Sequence, residues 1–145
     1  MPEAKGYSGR CACGAVEIRI RGKALAVRQC WCRRCQQIAA GGPTHNAIFR
    51  AADIGIEGPT ASHDYVADSG NILTRTHCPA CGTPILGGSS ARPDMRVVRL
   101  GVLDEAHGLK PTVAIWTSEA PPWALLDPAL EQYPQQPPAP PAPQS

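Results

Sequence analysis

Large aromatic side chains are what this chain has least of. Its 145 residues include one Phe, three Trp and three Tyr, 5% in all. Apolar residues still make up 43%, enough for one core, and the length fits a single domain. A core so poor in rings gains from cross-links between its strands. Long apolar runs are also missing. Nothing approaches the roughly 18 residues of a membrane span, so no membrane partner is expected. No apolar stretch follows the opening Met1-Pro2-Glu3-Ala4-Lys5-Gly6, so no secretory signal is read. The expected location is cytoplasmic, where thiols stay reduced. There is no eighth cysteine: the count is seven. An odd number in a reducing compartment argues for metal rather than disulfides.

What the chain does have is cysteine in three short clusters. They read Cys11-Ala12-Cys13-Gly14, Cys30-Trp31-Cys32-Arg33-Arg34-Cys35 and Cys78-Pro79-Ala80-Cys81-Gly82. Thiolates this close converge on one ion, and zinc takes four in a tetrahedron. Cys78-x-x-Cys81-Gly82 has the form of a zinc knuckle, whose glycine permits positive φ so that amide groups turn toward the sulfurs. Cys11-x-Cys13-Gly14 is a tighter version of the same device. A four-thiolate site made from both pairs would tie the N-terminus to the middle of the chain.

Cys30, Cys32 and Cys35 then remain. Three thiolates cap an ion and leave one position open, which is the mark of a catalytic site. The fourth ligand is water, His45, His77, an acidic residue or an incoming thiol. With Zn²⁺ the site carries net −1, which favours a soft sulfur ligand over ionised water. A helix start at Arg33 and the two arginines would hold the thiol pKa values down. Two other partitions stay open on ligand counting: a second structural site closed by His45 or His77, and a pairing of the central three with the third cluster. His63 and His107 receive no role.

Ala15–Arg21 alternates apolar and charged residues, the pattern of a half-buried strand with Val16, Ile18 and Ile20 inward. Further strands are read at 25–29, 45–49, 54–57, 71–76, 83–86, 96–103 and 111–116. One helix of about two turns is expected from Arg33 to Ala40, stopped by Gly41-Gly42-Pro43. The fold class is therefore mostly β, a zinc-stabilised sheet domain with one short helix after the central cysteines. The domain is placed at 1–133. Residues 134–145, built of Pro, Gln, Ala and Ser, read as a disordered Pro-rich tail.

Residues 1–50 carry nine Lys/Arg against two Glu, net +7, while the remainder is −5. That asymmetry raises one rival to an enzyme, a zinc-stabilised binding module for nucleic acid or protein. The basic residues do not interleave with aromatics as a single-strand binder requires, and no base-reading helix motif is present, so nucleic acid is disfavoured.

The order CxCG, CxCxxC, CxxCG resembles the glutathione-dependent formaldehyde-activating enzyme family, also known for the centromere protein V domain. The likeness extends through Gly9–Val16, Arg75–Gly82, Gly101-Val102-Leu103-Asp104 and Pro121-Pro122-Trp123 with Asp127, so it spans about residues 6–133. The resemblance implies an Mss4-like β architecture and two zinc ions per chain. It implies a structural zinc on Cys11, Cys13, Cys78 and Cys81, and a catalytic-type zinc on Cys30, Cys32 and Cys35. It further implies a small-molecule thiol (glutathione) and a small aldehyde (formaldehyde) as substrates, giving S-hydroxymethylglutathione. The reverse direction is a carbon–sulfur lyase reaction. Arg33, Arg34 and Arg75 are then candidates to hold carboxylates of the thiol, and Trp31 to wall the pocket. Five positions depart from the family pattern: Arg33-Arg34 where a Ser is usual, Trp31 where His is common, His77 where an aromatic is usual, and Ala114 near a common His. They spare the metal ligands and change the walls of the open site.

Overall fold

The computed structural model describes residues 6–137. The strands are β1 Tyr7–Arg10, β2 Glu17–Ile20, β3 Ala26–Cys30, β4 Thr44–Arg50, β5 Ile54–Glu57, β6 Ala61–Val66, β7 Ile72–His77, β8 Pro84–Ser89, β9 Met95–Arg99, β10 Val113–Ile115 and β11 Glu131–Gln132. One α-helix, α1 Arg33–Ile38, follows β3. The domain is mostly β, with α1 at the expected place.

The strands form two sheets. The smaller has the order β1-β2-β5; the larger runs β11-β10-β3-β4-β9-β8-β7-β6. All pairings are antiparallel except those of β10, which runs parallel to both β3 and β11. The alternation read at 15–21 explains how the sheets stack. Val16, Ile18 and Ile20 are each at most 2% exposed and meet Val27, Ala47, Phe49 and Val98 from the larger sheet. Burying each such side chain contributes about 1.5–3 kcal/mol. The one Phe is fully buried and meets Tyr7 edge-on, centroids 5.5 Å apart.

Side chains alternate across a strand and paired residues share a face. The larger sheet therefore has a core face, with Val27, Ala47, Phe49 and Val98, and an outer face. The register Cys30↔Thr44, Asn46↔Arg99, Arg75↔Gly87 and His63↔Arg75 puts all of these residues on the outer face. Helix α1 packs against β4. The candidate chemistry thus lies on the side away from the core.

Two strands and the helix are shorter than the sequence reading. The run from Arg96 stops at Arg99, and Leu100–Val102 turns as a 3₁₀ segment. The turn drives Val102 and Leu103 into the core, where Leu103 bridges to Gly9. The two backbones approach so closely that a Cβ on Gly9 would lie 2.1 Å from the Val102 carbonyl oxygen. Strand β10 is limited by Pro111, which has no amide to donate, and by Trp116, whose φ of 57° leaves the strand region. Helix α1 ends at Ile38 because Ala40 and Gly41 take positive φ. Strands β1, β6 and β11 have no counterpart in the sequence reading.

Of the expected tail, residues 138–145 lie outside the described chain. Its first residues are tied in: Tyr133 and Pro134 carbonyls accept from the Thr117 and Ser118 amides at 3.1 and 3.2 Å, and Gln135 from Trp116.

Candidate metal centres

All seven cysteines are free thiols, and they gather into two groups. Cys11, Cys13, Cys78 and Cys81 form one; Cys30, Cys32 and Cys35 form the other. Within each, the sulfurs lie within 4.8 Å of one another.

The four-cysteine group sits where the β1–β2 and β7–β8 turns meet. The two turns repeat one backbone pattern. The Cys11 amide donates to Val16 O and the Cys78 amide to Thr83 O, both at 3.0 Å. Gly14 and Gly82 adopt φ of 81° and 79°, a region closed to most L-residues. Their amides fold back onto the Cys11 and Cys78 carbonyls. Amide groups then reach sulfur, Val16 N to Cys11 Sγ at 3.3 Å and Cys81 N to Cys78 Sγ at 3.5 Å. Ala12 N donates to Thr83 Oγ1 across the two turns. The Cys11–Cys13 and Cys13–Cys78 sulfur separations are 3.6 and 3.8 Å. A tetrahedron with Zn–S bonds of about 2.3 Å has edges of about 3.8 Å, so the donor set fits that ion. Cys81 is held down to about 5, chiefly by hydrogen bonds from the Thr83 side chain and amide.

The three-cysteine group is built locally. Cys30 ends β3, Cys32 caps α1 and Cys35 lies in its first turn. The Cys32 sulfur accepts from the Cys35 amide at 3.3 Å. Ile115 pairs with Cys30 and accepts from the Trp31 amide. Ile115, Val113, Trp116 and Tyr133 pack around the sulfurs. Gln36 is buried and its amide nitrogen donates to the carbonyls of Trp31 and Glu119, at 2.8 and 2.9 Å. The Glu119 carboxylate accepts from the Arg33 amide at 3.0 Å. The Thr117–Glu119 turn thereby clamps the start of α1.

Cys35 is held down to about 3. The Cys30 and Cys32 thiols donate to it, Thr44 adds a hydrogen bond, and Arg99 adds a positive charge. Cys30 moves the other way, pushed far up by its bonds to Cys32 and Cys35 and by burial. Negative charge is therefore favoured on Cys35, and a cation held by the three sulfurs would supply the charge that ionises the other two. At Cys35 the lowering comes from the neighbouring thiols, Thr44 and Arg99, while at the α1 cap the Cys35 amide lowers Cys32.

Among the described residues, no His, Asp, Glu or fourth Cys joins this group. His45 is paired with Gln29 in the register, one residue from the Cys30↔Thr44 pair, so it points from the opposite face. Its Nε2 lies 3.1 Å from Gln29 Nε2. His77 instead lines a cavity of about 300 Å³ with Ile38, His63, Arg75 and Arg99. Trp31 is 4% exposed and its indole donates to Gln29, so it packs inward rather than walling that cavity. Of the three arginines singled out, only Arg75 reaches it. Arg34 and Arg75 both lie against the Tyr65 ring, 3.8 and 5.0 Å from its centroid.

Arg99 is the residue that sequence reasoning missed. Its Nη1 donates to Asn46 Oδ1 at 2.6 Å, and Asn46 Nδ2 donates to Thr44 Oγ1 at 2.9 Å. Thr44 in turn helps to lower the Cys35 thiol. Only the spacing of Arg99 after Arg96 on a strand was visible, and spacing does not name a partner 53 residues away.

A model of the glutathione-dependent formaldehyde-activating enzyme family matches residues 6–119. The chain belongs to that family. A crystal structure of a Rhodobacter sphaeroides protein has a similar fold, with a TM-score of 0.55 and 22% identity over 72% of this chain and 91% of that one. No curated protein matches the chain. Both cysteine groups lie within the matched residues, and each could hold a metal ion. No helix among the described residues is long and apolar enough to cross a membrane.

Proposed function

We propose that this chain is a zinc-dependent enzyme that joins a thiol to a small aldehyde, or splits the adduct as a carbon–sulfur lyase. Glutathione and formaldehyde are the pair the family points to. In the forward direction the sulfur adds to the carbonyl carbon. A C–S bond forms, the C=O π bond breaks, and the thiol proton ends on the new hydroxyl. S-hydroxymethylglutathione is the product.

Cys11, Cys13, Cys78 and Cys81 would hold a structural zinc, and Cys30, Cys32 and Cys35 a catalytic-type one, two per chain. Thiolate sets of this kind select zinc among the common divalent ions. Held by the central three, zinc supplies Lewis acidity that favours the ionised form of a soft sulfur ligand. The chain's own residues do the rest. Thr44 and Arg99 keep negative charge on Cys35. Ile115, Val113 and Trp116 pack against the sulfurs and limit water there. Seven unpaired thiols fit a reducing, cytoplasmic setting.

The observation that carries this reading is the three-cysteine group, which among the described residues lacks a fourth ligand. The test is NMR exchange between glutathione and S-hydroxymethylglutathione at equilibrium with formaldehyde, using zinc-loaded protein. Native protein should speed exchange above the spontaneous rate and the Cys32→Ser variant should not. Equal exchange with and without native, zinc-replete protein would refute the glutathione–formaldehyde assignment.

A further inference from the structure

The cavity beside α1 is chemically one-sided. Arg75, Arg99, His63 and His77 line it, and no Asp or Glu does. Among the described residues neither arginine is paired with a carboxylate. Partly buried guanidinium groups without a carboxylate partner attract one, and bind it bidentately. The register explains the opening. His63, Arg75 and Gly87 stand side by side on the outer face, and Arg99 follows Val97, the partner of Gly87. Gly87 puts no side chain between the two arginines; a Cβ there would lie 3.7 Å from Arg99 Nη2. Ile38 and Leu86 give the cavity an apolar wall.

We propose that this cavity is a carboxylate subsite for the thiol substrate, with Arg75 and Arg99 as its binding pair and Tyr65 as the residue that positions Arg75. The proposal rests on the thiol reading of the central cysteines. The substrate class it names is an acidic thiol, with its carboxylate on the β7–β9 side and its sulfur at Cys30, Cys32 and Cys35. Neutral and cationic thiols gain nothing from the subsite.

Arg99 belongs to both ends. Its Nη1 begins a chain of donors that runs through Asn46 to Thr44, the partner of Cys30 in the register. Its remaining N–H groups are left for the cavity. Thr44 and Asn46 are buried, so the chain is shielded from water. Groups of this kind behind a metal ligand fix its orientation. Arg75 is held differently, against Tyr65, which also carries Arg34 of α1. A guanidinium on an aromatic face keeps its charge while losing freedom, which preorganises it for an anion.

The probe is S-methylglutathione, which has both carboxylates but no free thiol, titrated calorimetrically into the zinc-loaded full chain. Native protein should bind it, and cysteamine should not compete. Arg75→Gln should weaken it about tenfold or more, the scale of a lost charge-assisted hydrogen bond. Tyr65→Phe should keep native affinity, because the ring is what holds Arg75, and Tyr65→Ala should lose affinity. No binding to native protein, or binding indifferent to both Arg75→Gln and Arg99→Gln with melting temperatures intact, overturns the subsite. If the arginine dependence holds while thiol–aldehyde exchange is never accelerated, the subsite stands and the catalytic reading falls.

Discussion

Replacing Cys78 by Ser should cost far more stability than replacing Cys32 by Ser. The two residues serve groups of the same chemistry, so the difference tests how the groups are placed in the chain. The four-cysteine site joins Cys13 to Cys78, 65 residues apart. Treated as a cross-link, closure of that loop restricts the unfolded chain by about 4 kcal/mol at 25 °C, whereas a loop of a few residues, as between Cys30 and Cys35, gives about 2 kcal/mol. Cys78 is also fully buried, and a Ser hydroxyl left without a partner there costs about 1 kcal/mol more. For a chain of this length about 4 °C of melting temperature corresponds to 1 kcal/mol. Cys78→Ser should therefore melt about 20 °C below the native protein and Cys32→Ser about 8 °C below. Circular dichroism melts of zinc-loaded protein, with metal counted in each sample, read both numbers. Cys32→Ser should retain one zinc. Equal drops for the two variants would refute the division into a site that holds the fold and a site that does not.

Three further outcomes follow from packing and charge. Gly9→Ala places a Cβ 2.1 Å from the Val102 carbonyl oxygen, and backbone cannot yield cheaply there; a loss of about 1–3 kcal/mol is expected in urea titration, and a neutral result would show that the two sheets slide. Gln36→Ala strips the donor from the Trp31 and Glu119 carbonyls; about 1–3 kcal/mol should be lost, with a faster release of the central metal to a chelator. In metal-free protein Cys35 is held down to about 3 from a reference of 9.0. Its contribution is fully present above about 9 and is lost as pH falls toward 3, because the unfolded thiol binds the proton first. Urea midpoints taken in chelator should rise with pH across that window in native protein, and rise less in Cys35→Ser.

What could be read in the sequence was what is local. The metal groups were legible because each pair or triple of ligands sits within six residues, and the turn glycines Gly14 and Gly82 stand directly after them. Strand β2 was legible because charge and apolar residues alternate strictly, and the core indeed takes Val16, Ile18 and Ile20. Strand β6 carried no such signal. It is an edge strand with most of its residues exposed, so neither face imposes a pattern, and its order comes from pairing with β7. Strand β1 contains a glycine demanded by Leu103, a contact 94 positions away in the chain. The rejection of His45 as a ligand needed the register itself, since one residue of slip would turn it toward Cys30. Arg99 illustrates the same limit: an arginine on a strand names a face only after its neighbours are known.

The two cysteine groups divide the labour of the fold in a way their placement explains. The four-cysteine group joins the turn of one sheet to a turn of the other, and two of its members lie in the main core. Any change there is felt by both sheets. The three-cysteine group is contained in one strand end and one short helix, on the outer face, and its surroundings come from segments joined late in the chain, Val113–Ile115, Thr117–Glu119 and Tyr133. Substitutions around it meet few core neighbours. The positions read as departures from the family pattern are Trp31, Arg33, Arg34, His77 and Ala114, of which Trp31 and Ala114 are buried. Of these residues, His77 lines the basic cavity and Arg34 stacks on Tyr65 beside Arg75. Two of these five residues therefore border the proposed subsite. Selectivity among thiols should then vary between members of the family more readily than metal binding does. Measuring thiol preference in Arg34→Ser, which restores the residue type usual in that gap, separates the two properties directly: zinc content should stay at two per chain while discrimination between glutathione and cysteamine shifts.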